Sequence, residues 1–299
     1  GTPAEVIVTG ASLGGIVTAA ALEQAQLGNV TGALTLCGAL AGSRNWDGAL
    51  DARLIYDALC SAVPGAFIPG GAYGLPFGST MTQTQMALAV HACFGILVPP
   101  AQRTPPQIQR LNDFMRVTQI PENFVLTDMG FATFGLADLV ADPAKLKGRI
   151  GTGNADVVYG DAVIDSQIAR VSPHPGAATR LQENYTPTGE VGAARIVSLH
   201  TDKDGLVVVE NESEYASVVP PASLTTAVVV EATPSHCAFS SAETVASWQS
   251  LRSWIASGVQ PTAASIQGLC QVLAPTVGGP CRINPAFVIP DLDSRIRPR

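Results

Sequence analysis

Charge is scarce in this chain, with 14% of its 299 residues being Asp, Glu, Lys or Arg. The 17 Lys plus Arg are outnumbered by 24 Asp plus Glu, the net charge is −7, and no basic cluster interrupts the sequence. A nucleic-acid partner is therefore not expected, because phosphate binding needs a positive stripe or patch. No apolar run reaches the ~18 residues that cross a bilayer, and the alanine-rich stretch after Ser12 already carries Glu23 and Gln24, so no membrane span is expected. No basic region precedes the first apolar run, so the opening residues do not read as a secretory signal. C-x-x-C is absent, which argues against a zinc site, and no EF-hand pattern or internal repeat occurs. Neither a cofactor nor a metal is expected.

Hydrophobic residues, in contrast, make up 46% of the chain, enough for a full core in one large domain with an insertion or in two closely packed domains. The six cysteines are Cys37, Cys60, Cys93, Cys237, Cys270 and Cys281. Their even number, the low lysine count and the abundance of Ser, Thr, Gly and Pro point to an oxidising compartment, secreted or periplasmic. Cys270 and Cys281 are the pair expected to bridge across a Pro/Gly-containing tail. Their loop is short, which places the stabilisation at the lower end of about 2 to 4 kcal/mol.

The opening stretch GTPAEVIVTGASLGGIVTAAALEQA carries the first functional signal. Val6-Ile7-Val8-Thr9 reads as a short buried strand, and Ile16 to Ala25 as a helix of good formers. Between them Gly10-Ala11-Ser12-Leu13-Gly14-Gly15 matches G-x-S-x-G. In a strand-turn-helix setting, small residues let a tight turn lift the serine hydroxyl above the sheet edge. A phosphate-binding turn is the alternative, but these residues supply neither G-x-G-x-x-G nor a following Lys-Ser or Lys-Thr.

Further along, Leu34 to Cys37 reads as a second buried strand and Ala49 to Ser61 as a helix. VPGAFIPGGAYGLPFG is too rich in Gly and Pro to be regular, and helices follow at Met81 to Cys93 and Pro106 to Thr118. Strands return at Ala194 to Leu199 and Thr225 to Glu231. The chain thus divides into a sheet-bearing core, 1–42 with 186–299, and a helical insertion, 43–185.

Functional groups in open α/β sheets collect just past the carboxyl ends of strands. Asp202 and Asp204 follow the strand ending at His200. Asp204 precedes Gly205 and a return of apolar residues, which places it in a turn back towards the sheet, whereas Asp202 reads as a solvated or capping residue. His236 follows the next strand and precedes a helix over Ala242 to Ala256. His91 lies in a helical stretch and His174 in a Pro-flanked loop, which leaves His200 as the one rival. Serine is a weak nucleophile, so an imidazole must take its proton and return it to the leaving group, while a carboxylate fixes the imidazole tautomer. The developing oxyanion needs backbone N–H donors, and Leu13, at the start of a helix, is positioned to give one.

With these residues in place the chain resembles the α/β-hydrolase superfamily, whose members carry Ser, Asp or Glu, and His in that order. GASLGG, LHTDKDGLVVVENESEY, SHCAFSSAE and the tail GGPCR are similar to those of secreted bacterial esterases related to the tannase and feruloyl esterase group. The likeness covers both ends of the chain and is poor through the middle. It implies an α/β-hydrolase-like, mostly parallel sheet with a large, mainly helical lid insertion. In that group a cysteine precedes the nucleophile and bonds to the one after the histidine. Ala11 stands at the first position here, so that disulfide cannot form, and Cys237 is left to pair elsewhere or to remain a buried thiol. The family's elbow follows its fifth strand, whereas here it stands at residue 12. The expectation is that the preceding half-sheet, with the loop giving the second oxyanion donor, comes from a second polypeptide, a cleaved N-terminal fragment or a partner subunit, or was lost by truncation. An uncovered central edge otherwise invites aggregation.

The resulting expectation is hydrolysis of a small-molecule or polymeric carboxylic ester through an acyl-enzyme on Ser12, with His236 as base and acid and Asp204 orienting it. The aromatic residues of the insertion, Trp46, Phe67, Tyr73, Phe77, Phe94, Phe114, Phe124, Phe131 and Phe134, would shape the acyl or alcohol pocket, with ordinary lid core as the alternative for any one of them. The alternatives are a non-catalytic binding or assembly module, and an amidase or acyltransferase using the same three residues.

Overall fold

The structure is a computed structural model that describes residues 5–24 and 30–299. In chain order its elements begin with β1 (Ile7–Ala11), α1 (Leu13–Glu23) and β2 (Gly32–Leu36). Seven helices follow: α2 (Arg44–Cys60), α3 (Gln83–Phe94), α4 (Pro105–Thr118), α5 (Val125–Gly130), α6 (Leu136–Ala141), α7 (Ala162–Gln167) and α8 (Pro175–Tyr185). Then come β3 (Arg195–Thr201), α9 (Asn211–Val218), β4 (Leu224–Val229), α10 (Ser241–Ser257) and α11 (Ala263–Val277). The chain forms two compact units, one of residues 5–24, 30–42 and 186–294, the other of Ser43–Tyr185 with Arg295–Arg299. The last five residues thus join the helical unit and not the 186–299 segment of the sheet-bearing core expected from the sequence.

In the first unit the four strands pair in parallel, in chain order β1-β2-β3-β4. Side chains alternate across a strand, so each strand feeds two layers, and a parallel sheet needs both covered. Ala33 and Ile196 pack with Ala19 and Leu22 of α1 and with Tyr215 and Val219 at α9. Their neighbours Leu34 and Val197, with Leu199, Ala227 and Val229, pack with Ala246, Leu251 and Trp254 of α10 and Ile266 of α11. The outer edge of β4 is capped by the tail, where Ile283 bridges Val229 in antiparallel fashion and Asn284 N–H donates to the Val228 carbonyl at 2.8 Å. The outer edge of β1 has no partner strand among the described residues.

The helix expected over 16–25 begins earlier, at Leu13, directly after the serine; its expected last residue, Ala25, lies outside the described residues. Glycines 14 and 15 read as turn signals in the sequence, but they form the first turn of α1.

The helical unit is organised around α2. Leu50, Leu54, Ile55 and Tyr56 are buried with Phe94 of α3, Phe114 of α4 and Met129 of α5. Arg53 is fully buried and explains how the Gly/Pro-rich segment is ordered. It donates to the carbonyls of Ile68 at 2.7 Å, Pro69 at 2.9 Å and Gly74, and pairs with Asp57. Cys60 and Cys93 join α2 to α3 in a disulfide. The residues 295–299 return to the same unit: Arg299 meets Asp51 at 2.9 Å and Asp47 at 3.3 Å, and Arg297 donates to the Val117 carbonyl at 2.8 Å. Burial pushes the Asp47 carboxyl above its ordinary range, against the opposing pull of Arg299, Thr152 and Arg44.

Residues Glu122–Ala141 form one helical stretch, α5 and α6 joined through a π turn, long and apolar enough by length and composition to cross a membrane. Glu122, Asp128 and Asp138 break its apolar run, which is why a count of uninterrupted apolar residues passes over it. Val125, Met129, Ala132 and Leu136 of this stretch are buried in the helical unit.

Candidate active site

One residue separates β1 from α1, and that residue is Ser12. Its backbone lies at φ 56°, ψ −123°, a left-handed conformation that costs a non-glycine residue about 1–3 kcal/mol. Its N–H donates to the Leu36 carbonyl at 2.9 Å and its carbonyl accepts from Gly15 at 2.8 Å. The turn can be this tight because of two glycines. A Cβ on Gly10 would lie 2.2 Å from the Gly14 carbonyl oxygen, and one on Gly15 would lie 2.4 Å from the Gly38 Cα. Gly14, the last residue of the strict motif, would meet nothing. Packing therefore requires the residue after the motif, not its final glycine. Leu13 opens α1, where its N–H has no intrahelical acceptor by position, and its side chain is 66% exposed.

The structure brings Ser12, His236 and Asp204 together. His236, on the β4–α10 loop, has Nε2 2.8 Å from Ser12 Oγ and Nδ1 2.7 and 3.0 Å from the two Asp204 oxygens. A carboxylate only accepts, so Nδ1 carries the proton and Nε2 accepts from the serine hydroxyl. Asp204 is buried on the β3–α9 loop, where Oδ1 also accepts from Leu206 N–H at 3.0 Å and Val207 N–H at 2.9 Å. Asp202 does not join them; it accepts from Glu231 N–H at 2.7 Å and ties the ends of β3 and β4 together. His91 and His174 belong to the helical unit.

His200 is fully buried among polar partners. Its ring nitrogens meet Glu212 Oε1 at 2.9 Å and the Val207 carbonyl at 2.8 Å, not Ser12. Burial works against its charge, but the Glu212 hydrogen bond, the Glu212 and Asp204 charges and the Val207 carbonyl outweigh it and hold His200 above the ordinary histidine range.

Two long-range features fix the loop that carries His236, and neither is visible in sequence spacing. Cys237 is joined by a disulfide to Cys37, 200 residues away. Leu36 pairs with Ala11, so Cys37, next along β2, stands one strand over at the level of Ser12. The bridge that Ala11 rules out on the serine strand is made from the neighbouring strand. Its one sequence signal is that Cys37 directly follows an apolar run at the same sheet edge. The second feature is Arg282. It pairs with Glu231 at one end of the loop and Glu243 at the other, each at 2.8 Å, and donates to the Ala238 carbonyl at 2.7 Å. The disulfide Cys270–Cys281 anchors the neighbouring residue.

Donor atoms of Cys37, Asp204, His236 and Cys237 lie within 4.8 Å of one another. With the two sulfurs bonded to each other, the group offers no thiolate to a metal. What the arrangement can do is move a proton: the serine hydroxyl faces an imidazole able to receive its proton, and a buried carboxylate stabilises the imidazolium that results.

No family model matches the chain, and no curated protein matches it. Among solved structures it is similar to feruloyl esterase B from Aspergillus oryzae, with 11% identity and a TM-score of 0.36. The match covers 84% of this chain and 59% of that one, so this chain spans 59% of the esterase's length.

Proposed function

We propose that the protein hydrolyses carboxylic esters through an acyl-enzyme on Ser12, on an α/β-hydrolase-like scaffold. The observation that carries this reading is the unbroken hydrogen-bond chain from Ser12 Oγ through His236 to the buried Asp204. Its three members come from three loops at the carboxyl edge of one parallel sheet, and each has its own restraint. His236 takes the hydroxyl proton as Ser12 attacks the ester carbonyl, then gives it to the departing alcohol; water repeats the sequence to release the acid. Asp204 holds the tautomer that leaves Nε2 free and balances the imidazolium. The Leu13 N–H, at the positive end of α1, faces the developing oxyanion.

In this reading the helical unit, inserted between β2 and β3, serves as the lid. Within the helical unit itself, Tyr73, Leu75, Pro76, Phe77 and Val140 line a cavity of ≈ 460 Å³. The three disulfides support a secreted or periplasmic site of action. The outer edge of β1, unpaired among the described residues, supports completion of the sheet by a strand from a second polypeptide or a cleaved N-terminal fragment. Mass spectrometry of the purified protein under denaturing conditions would find that second chain or eliminate it.

The test is hydrolysis of p-nitrophenyl butyrate together with labelling by a fluorophosphonate. Label on Ser12, and loss of both signals in Ser12→Ala, is the expected result. A folded wild-type protein that neither turns over nor takes the label would defeat the reading in favour of a binding or assembly module. Added alcohols or amines that divert the acyl group from water would make the protein an acyltransferase.

A further inference from the structure

A second histidine lies on the strand that leads to Asp204, and both of its ring nitrogens are committed. The Val207 carbonyl can only accept, so His200 Nε2 carries a proton. Nδ1 faces Glu212 Oε1, which also accepts from the Ser198 hydroxyl at 2.7 Å, itself the acceptor of the Thr35 hydroxyl at 2.8 Å. With Glu212 as a carboxylate, Oε1 would serve two donors and the second ring proton would sit on Nδ1, in keeping with the raised pKa of His200. Glu212 is as deeply buried as His200, and its other oxygen has no hydrogen-bond partner among the described residues.

This buried pair touches Asp204 in two ways. His200 Nε2 lies 4.0 Å from Asp204 Oδ2, the same oxygen that His236 Nδ1 meets at 2.7 Å. Val207 then links them through its peptide groups: its N–H donates to Asp204 and its carbonyl accepts from His200. The charged and titratable groups facing His200 are Glu212 from α9 and Asp204 from its own loop, with His236 beyond Asp204. Tyr215, next to Glu212 on α9, is held neutral by burial and by the charges of Glu23 and Glu212. A buried ion pair adds little to stability compared with apolar residues of the same volume, so folding alone does not account for this one.

We propose that His200 is a positioning residue, locked as an imidazolium between Glu212 and the Val207 carbonyl, where it braces the 204–207 turn and supplies a fixed positive charge beside Asp204. The inference rests on the reading of Ser12, His236 and Asp204 as the catalytic groups. Without that charge the Asp204 carboxylate acts more fully on His236, which then holds its proton to higher pH. His200→Gln keeps a donor for the Val207 carbonyl and removes the charge.

The experiment has two parts on the full chain. Nitrogen-15 NMR of histidine-labelled wild type should show one of the four histidines protonated on both ring nitrogens through neutral pH, its signal absent from His200→Gln. The rate of Ser12 phosphonylation by a fluorophosphonate, followed against pH, should have its acid-limb midpoint raised by roughly half a pH unit in His200→Gln. Its plateau per folded molecule should fall about tenfold as the acid loses its alignment. A merely structural role would lower the folded fraction and leave the midpoint in place. A singly protonated His200 at neutral pH overturns the proposal even if the variant does not fold, and so does a folded variant with an unchanged profile. Wild type that never reacts defeats the esterase reading itself, whereas wild type that reacts identically to the variant defeats the proposal alone.

Discussion

Replacing Asp204 by asparagine isolates what the carboxylate does, because the structure dictates how the amide must sit. Oδ1 accepts from two backbone N–H groups, at 3.0 and 2.9 Å, in a buried turn. The amide oxygen of the introduced side chain has to keep that place, since turning it away forfeits both bonds at about 1 kcal/mol each. Its NH2 then stands where Oδ2 was, 2.7 Å from His236 Nδ1 in the present arrangement. A donor there obliges Nδ1 to accept, so the ring proton moves to Nε2 and points at Ser12. The imidazole can no longer take the serine proton. From the value of a correctly held tautomer in such relays, kcat for p-nitrophenyl butyrate should fall by about 10³ to 10⁴, or roughly 4 to 5.5 kcal/mol of barrier, with little change in KM. The melting temperature should stay close to wild type because both backbone bonds survive. Asp204→Ala removes the acceptor of both and should be measurably less stable, by about 1 to 3 kcal/mol per stranded N–H. An Asp204→Asn protein that is folded and keeps more than about a tenth of wild-type kcat would refute the argument, since that is far above what the wrong tautomer permits.

Removing the Cys37–Cys237 bridge in Cys37→Ser/Cys237→Ser should lower both urea stability and hydrolysis. The 200-residue separation puts the chain-entropy limit at about 5 kcal/mol, against about 3 kcal/mol for the 11-residue separation of Cys270–Cys281, so equal losses from the two would contradict it. Gly10→Ala and Gly15→Ala should each destabilise the fold by several kcal/mol through backbone overlap, on the order of severe overpacking, whereas Gly14→Ala should gain up to about 1 kcal/mol from helix propensity. Thermal melts of the three variants would separate these outcomes. His200 has a folded-state pKa raised above its unfolded one, so its contribution to stability is complete below the ordinary histidine pKa of about 6.5 and is lost as pH rises through the folded value. Unfolding free energy measured from pH 6 to 9 should decline in wild type and decline less in His200→Gln.

The parts of this site that can be read from sequence are those written locally. Ser12 declares itself through a strand, a turn and a helix within about two dozen residues, and Asp204 and His236 each follow a strand directly. What escapes such a reading is non-local. Gly15 matters because of Gly38, a contact no motif records, and Cys37 reaches Cys237 only once β2 has paired with β1. Arg282 meets Glu231 and Glu243 through a tail whose sequence reads as irregular. His200 resembles a rival base on strand position alone, and only its partner on α9 shows that its ring is already committed. The start of α1 is hidden because glycine is both a turn former and the residue that permits close packing, and periodicity does not distinguish the two.

The return of residues 295–299 to the helical unit also sets a schedule for biosynthesis. Residues 43–185 leave the ribosome early and carry Asp47 and Asp51 into a largely apolar setting. Arg299, which meets both of them, is translated only after the whole of 186–294, a wait on the order of ten seconds at ordinary elongation rates. Until then Asp47 has Arg44 and Thr152 but not Arg299, and it can lower the cost of burial by keeping its proton. A nascent chain arrested before residue 295 would lack the Arg299 contacts, so a unit whose helices α2 to α8 all precede β3 in the chain is completed by residues that follow α11.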